Sequence, residues 1–165
     1  MQVRKVNGPG SAQIYAMKAM DKSRICGSRT DVRHTKAERN VLVSVEHPFI
    51  VKLKFAFETS KRLYLVQEFC CGGELFRRME VERLMVENVA KFYLQEIILA
   101  LEYLHSLDIV YRDLKTENVM LDREGHVKLI DFGLSKTDMK DDTLTHTFCG
   151  TGNHHMIRPD PGCFW

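Results

Sequence analysis

The order of periodicities along this chain predicts an α+β fold: short strands around one helix, followed by a longer amphipathic helix. Three observations carry that prediction. Residues 2–6, 13–18, 50–57 and 63–69 are extended, apolar-rich runs separated by Gly, Pro, Ser and Asn, the pattern of short strands between turns. A single helix-period stretch, 30–45, interrupts them. From residue 87 the apolar spacing changes to three and four residues and holds that period to residue 107, which is an amphipathic helix.

Composition narrows the class. With 165 residues there is room for one domain or part of a two-lobed one. The 44% hydrophobic and 28% charged contents are those of a soluble globular protein. A net charge of +2 makes no case for nucleic acid, and no dense Lys/Arg block suggests a membrane surface. No apolar run approaches the roughly 20 residues needed to span a bilayer, and the opening MQVRKVNGPG lacks a signal-peptide core. Five cysteines, at 26, 70, 71, 149 and 163, form no paired CxxC spacing. They read as reduced thiols of an intracellular protein, in the cytoplasm with the nucleus also open.

The elements follow in order. Strands 2–6 and 13–18 are joined by NGPGS at 7–11; its Gly and Pro serve a turn, since a phosphate cradle would need GxGxxG. Helix 30–45 has Thr30 or Asp31 as its cap and Val32, Leu42 and Val45 among its apolar positions. His47-Pro48 breaks it. Strands 50–57 and 63–69 flank TSKR at 59–62, a hairpin turn. The second strand runs into EFCCGG, where Cys70 and Cys71 read as small packing residues rather than a redox or metal pair. Glu74 opens a short helix. On 87–107, Val89, Phe92, Tyr93, Ile97, Ala100, Leu101 and Leu104 form a buried stripe, with Asp108 as terminator. That stripe is core, and its task is to hold the next loop rigid.

That loop, YRDLKTENVMLDREGHVKLIDFG at 111–133, holds the chemistry. VML and HVKLI are short strands around the turn-rich DREG. A hairpin folding near Glu124 pairs positions summing to about 249, which sets Asn118 opposite Asp131 at the open end. An amide oxygen and a carboxylate there suit a hard cation such as Mg²⁺. Asp113 and Lys115 lie just upstream. Phosphoryl transfer needs that set: a base for the attacking hydroxyl, a positive charge on the moving phosphoryl and a metal on the phosphates. Either aspartate alone reads equally as a solvated end of an ordinary hairpin; RDLKxxN joined to DFG at this separation does not.

The joint motif resembles the catalytic and metal-binding loops of eukaryotic protein kinases. YRDLK, with Tyr111 where many kinases have His, is similar to the AGC group of serine/threonine kinases. HTKAERN (34–40), HPFIVKL (47–53), GGELF (72–76) and HTFCGT (146–151) resemble the ribosomal-protein kinases of the S6 type. The resemblance implies a kinase-like fold, with a nearly complete small lobe and part of the helical lobe. It implies transfer of the ATP γ-phosphoryl to serine or threonine hydroxyls. Asp113 would be the base or orienting group, Lys115 the γ-phosphate contact, and Asn118 and Asp131 the Mg²⁺ ligands. Lys18 would grip the α- and β-phosphates with Glu38 as its ion-pair partner. Taken alone, Lys18 is one surface lysine among many, and Glu38 beside Arg39 is part of a charged face. Backbone groups near Glu68 and Cys70 would bond adenine, with Ala16 and Met120 on its faces. Gln67 falls at the position that sets pocket depth, where the family usually has an apolar residue. Glu74 would meet the ribose and, with Glu117, basic residues of protein substrates; each is equally a solvated carboxylate. Thr147 matches a phosphorylation site for an upstream kinase, its phosphate docking on Arg112. Thr116 replaces the usual proline, and MEVERLM at 79–85 departs from the usual spacer.

The two ends depart from the pattern. The family's glycine loop would precede QVRKV, and after Thr151 the sequence GNHHMIRPDPGCFW matches nothing in it. The expectation is therefore a chain truncated at both ends: 1–69 a partial small lobe, 70–151 a hinge and partial helical lobe ending in an activation segment, and 152–165 a divergent tail of alternative splicing or a mispredicted exon. His154, His155, Cys149 and Cys163 match no closed zinc pattern. With helices missing, the stripe on 87–107 is expected to lie exposed, and the competing reading is a silent fragment that acts by binding.

Overall fold

The computed structural model describes residues 1–8, 12–27 and 29–136. Among these, β1 (Gln2–Arg4), β2 (Ile14–Asp21), β3 (Leu53–Glu58) and β4 (Arg62–Glu68) form a sheet in the order β1-β2-β4-β3, with every neighbouring pair antiparallel. Helices α1 (Lys22–Cys26) and α2 (Arg29–Ser44) lie between β2 and β3 in sequence. A second sheet, β5-β6-β7, is made of Gly73–Glu74, Val119–Leu121 and Val127–Leu129. Helices α3 (Leu75–Glu82) and α4 (Glu87–Ser106) connect β5 to a 3₁₀ turn at Thr116–Asn118. This is the predicted α+β arrangement, and no helix among the described residues is long and apolar enough to cross a membrane.

The strands and helices fall close to their predicted places, with instructive exceptions. Strand β2 runs on to Asp21, and α1 follows it directly. The sequence gives no sign of α1, because five residues are too few to show a helical period. The predicted strand 50–57 is divided. Its first residues leave β3 and bond to β7: Val51 N–H donates to Leu129 O at 3.0 Å, and Leu129 N–H donates to Phe49 O at 2.9 Å. Apolar character marked the run as extended without saying which sheet receives it. The consequence is a direct backbone tie between the segment leaving α2 and the strand that ends near Asp131.

The hairpin register corrects the expectation by one residue. Val119 pairs with Leu129 and Leu121 with Val127, so the pairs sum to 248. Asp122 decides this. Its side chain accepts from Glu124 N–H at 3.0 Å and His126 N–H at 2.9 Å, while its own N–H donates to His126 O at 2.9 Å. Asn118 therefore faces Ile130, whose N–H donates to the Asn118 carbonyl at 3.0 Å, and Asp131 lies one residue farther out.

Helix α4 also differs from expectation. Tyr93, Ile97, Ala100 and Leu104 are buried and pack toward β7, with Val89 and Leu101 half-buried. Burying Leu104 or Ile97 contributes about 1.5–3 kcal/mol each. Phe92 is off this stripe and 41% exposed, its ring instead meeting Tyr93 and His126. The stripe is thus covered by the hairpin, and the exposed apolar residues are a different set, Leu94, Ile98 and Leu99. At the hinge, a Cβ on Gly72 would stand 2.7 Å from Leu121 Cβ and 2.8 Å from Asp122 O, so only glycine lets the chain run against β6. Cys70 is buried there as predicted, with burial pushing its thiol up to about 12, whereas Cys71 is exposed and packs no core.

One buried polar group ties α4 to the hairpin. The Glu96 carboxylate, 6% exposed, accepts Val127 N–H at 2.9 Å and meets His126 Nδ1 at 2.6 Å. The hydrogen bond and charge of Glu96 raise the His126 pKa above 6.5. Because the folded imidazole holds its proton more tightly than the unfolded one, the pair stabilises fully below about pH 6.5, and that stabilisation is lost as pH rises through the raised value. His126→Gln is accordingly expected to lower the melting temperature near pH 6 and to approach wild type near pH 9; a difference that stays constant with pH would contradict the pairing.

Candidate active site

Strand β2 carries Lys18 opposite Leu65 of β4, and α2 carries Glu38 with 2% exposure. Lys18 Nζ donates to Glu38 Oε1 at 2.8 Å and Oε2 at 3.0 Å, and to Asp131 Oδ1 at 3.2 Å. Burial opposes the charge on Lys18, but Glu38 and then Asp131 outweigh it and hold the ammonium above the ordinary lysine value. The same burial raises the Glu38 carboxyl, against the pull of Lys18. An ammonium is thus suspended between a buried carboxylate and the more open Asp131, whose side chain is 46% exposed.

The second half of the site lies on the 3₁₀ turn and the loop before it. Asn118 Nδ2 donates to Asp113 Oδ2 at 2.8 Å and to Asp113 O at 3.0 Å, and Lys115 Nζ lies 2.9 Å from Asp113 Oδ2. Asn118 is buried, and its amide oxygen is the atom left over for a cation. Two backbone positions carry the cost of this shape. Arg112 and Asp131 have φ of 66° and 56°, a region costing a non-glycine residue on the order of 1–3 kcal/mol. Surrounding bonds hold them there. The Tyr111 hydroxyl donates to Ile130 O, its ring meets Phe132 at 5.1 Å, and Val110 exchanges backbone bonds with Lys136 at 2.9 and 3.0 Å. Arg112 Nε donates to Leu134 O at 2.5 Å. Gly133 N–H donates to Asp131 Oδ1 at 3.3 Å, close enough that a side chain at 133 would crowd that carboxylate.

The structure therefore brings Lys18, Glu38 and Asp131 into one group and Asp113, Lys115 and Asn118 into another, joined by the Ile130–Asn118 backbone bond. Ala16 faces Gln67 across β2 and β4, and Met120 faces Glu74 across β5 and β6, each half-buried. The N–H of Glu68 is already given to Lys52 O at 3.0 Å, so any adenine bond from Glu68 falls to its carbonyl. Glu74 caps α3 by position, with no side-chain bond to the helix. Glu117 is exposed on the 3₁₀ turn, which packs beside β5 and so sets Glu74 and Glu117 on adjacent elements. Thr147, the tail and its histidines lie outside the described residues. A cleft of about 600 Å³ between α1, α2 and strands β2–β4, lined by Met20, Ile25, Val32 and Phe57 among others, contains none of the predicted site residues.

Among the described residues no three His, Cys, Asp or Glu side chains gather into a metal cage. The Asn118 amide oxygen and the Asp131 carboxylate nonetheless fit Mg²⁺, which characteristically takes one or two protein oxygens and completes its shell with phosphate and water. Sequence reasoning missed the Tyr111 hydroxyl bond and the Glu68 carboxylate contacts. The first had a signal, a tyrosine directly before RD; the second depends on chain segments far apart in sequence.

The site thus combines a strand lysine paired to a helix glutamate with a loop of Asp113, Lys115 and Asn118. A family model described as "Protein kinase domain" matches residues 2–155, and the chain belongs to that family. Within it the chain is 55% identical over 150 residues to a protein named ribosomal protein S6 kinase beta from Caenorhabditis elegans, covering 91% of this chain and 27% of that one. It is 52% identical over 149 residues to proteins named ribosomal protein S6 kinase alpha-6 from Danio rerio and alpha-3 from Homo sapiens, covering 90% of this chain and 20% of each of those. It spans only 20–27% of the length of these relatives.

Lys18→Met would leave Glu38 buried without its cation, at an expected cost of about 1–3 kcal/mol. Urea unfolding should show part of that loss recovered in Lys18→Met/Glu38→Leu, where no charge is stranded. Purely additive losses would mean that the pair is not coupled.

Proposed function

We propose that this chain carries a centre for transfer of the ATP γ-phosphoryl to serine or threonine hydroxyls of proteins with basic residues near the acceptor. The observation that supports it most is the reach of Lys18 from the Glu38 carboxylate to Asp131, beside the Asp113–Lys115–Asn118 cluster. In this reading Lys18, fixed by Glu38, binds the α- and β-phosphates. Asp113 would orient the substrate hydroxyl and accept its proton as the new O–P bond forms and the γ-phosphoryl's bond to the departing ADP breaks. Lys115, 2.9 Å from Asp113, holds its ammonium where charge gathers on the moving phosphoryl. Asn118 donates to Asp113 and so fixes its carboxylate, leaving the amide oxygen to act with Asp131 as cation ligand. Mg²⁺, when bound there, supplies charge neutralisation on the phosphates.

The hinge around Glu68 and Cys70 receives adenine, with Ala16 and Met120 on its faces and Glu74 near the ribose. Glu74 and Glu117 give the neighbouring surface a negative charge for arginine-containing peptides. Phosphorylation of Thr147 by an upstream kinase would place its charge on Arg112. The exposed thiols of Cys26 and Cys71 accord with a reducing cytoplasm or nucleus. A second reading, a module that binds partners without transfer, is favoured by the exposed Leu94, Ile98 and Leu99 on α4.

Incorporation of phosphate from Mg·ATP into a serine peptide flanked by arginines separates the two. Transfer by the wild-type chain, reduced roughly 10²–10⁴-fold in Asp113→Asn with nucleotide affinity retained, is the expected result. No transfer by the wild type, or equal transfer by Asp113→Asn, would contradict it.

A further inference from the structure

Glu68 is the last residue of β4, where the first sheet gives way to the hinge. Its N–H donates to Lys52 O at 3.0 Å, and its carboxylate Oε1 accepts Lys52 N–H at 3.0 Å, closing the end of the β3–β4 ladder. The same Oε1 lies 3.3 Å from Lys128 Nζ. Lys128 is the middle residue of β7, 15% exposed, and sits directly opposite Met120. The Lys52 ammonium is turned to Glu46 instead, so Lys128 supplies the cation here. One carboxylate oxygen thus bonds the first sheet on one side and the second sheet on the other.

We infer that Glu68 and Lys128 form a latch across the hinge that holds the two sheets at the spacing nucleotide binding requires. Both act as positioning residues. Two ion pairs cross from the first sheet to the segment 128–131: Lys18 to Asp131 at 3.2 Å, and Glu68 to Lys128 at 3.3 Å. On the phosphotransfer reading, on which this inference rests, the first crossing must yield part of Lys18 to phosphate oxygens. The second lies at the hinge, away from the phosphates, and remains to keep Asp131 in range. The structure already holds Lys18 against both Glu38 and Asp131, so the latch preserves an arrangement ready for ligand rather than one that excludes it. A cavity of about 320 Å³ lined by Glu46, His47, Lys52, Glu68 and Lys128 among others opens beside the pair. Water and salt therefore reach it, and its effect weakens as ionic strength rises.

Calorimetric titration of the full chain with ADP and Mg²⁺ tests this. Lys128→Met is expected to weaken ADP binding roughly three- to tenfold at low salt, with the difference shrinking at high salt and Lys128→Arg close to wild type. Glu68→Gln keeps an acceptor for Lys52 N–H but loses the charge, and gives the same weakening should Lys128→Met fail to fold. A merely structural role would lower the unliganded melting temperature and leave the dissociation constant unmoved. Equal or tighter binding by these variants overturns the inference. If the wild type binds no ADP, the phosphotransfer reading fails, and the latch is read instead from amide exchange at residues 69–73 of the ligand-free chain. Faster exchange in Lys128→Met supports it; unchanged exchange overturns it.

Discussion

A buried carboxylate without a cation is too costly to keep, and that constraint at Glu38 organises much of this molecule. With 2% exposure, Glu38 needs Lys18, and Lys18 comes from the middle of β2. Satisfying that pair fixes α2 against the first sheet. The ammonium has a donor left over, and it spends it on Asp131 at the end of the second sheet. One charge therefore sets the distance between Glu38 on α2 and Asp131 beyond β7. The pair's net contribution to stability is modest, because Lys18 is 40% exposed. Its geometric consequence is the larger one.

The second sheet meets this demand through backbone bonds rather than side-chain packing alone. Phe49 and Val51 bond to Leu129, Asn118 bonds to Ile130, and the Tyr111 hydroxyl bonds to Ile130 O. These contacts bracket Asp131 and let it keep a left-handed φ that a free chain would avoid. Helix α4 supports the hairpin from below through Ile97, Ala100 and Leu104, with Glu96 accepting from Val127 N–H. Positioning is most of what catalysis by this class of site asks of a protein. Here rigidity is produced by bonds that cross between elements distant in sequence.

Much of this was legible in the sequence. The extended runs, the helix around Glu38 and the apolar stripe on α4 follow from period alone, and RDLKxxN sets Asp113, Lys115 and Asn118 in one group, while Asp131 of DFG lies with Lys18 and Glu38. The Lys18–Glu38 pair came from resemblance rather than from spacing. What failed did so for physical reasons. Asp122 closes the hairpin turn with its own side chain, and that shifted the register by one. Ile50 and Val51 are as apolar as any strand, and no local signal says that they join β7. Phe92 matched the helical period yet sits at the edge of the stripe, where His126 takes its ring. The Glu68–Lys128 pair spans sixty positions that no pattern connects.

Whether Lys18, Glu38 and Asp131 together make a working nucleotide site is decided by a thermal melt of the chain with and without millimolar Mg·ATP. Binding to the folded state at 100 times Kd stabilises by about 2.7 kcal/mol. A cooperative transition that rises with Mg·ATP in the wild type, and no longer does so in Asp131→Ala, is the expected result. A cooperative transition indifferent to nucleotide, or a rise that survives Asp131→Ala unchanged, would contradict it.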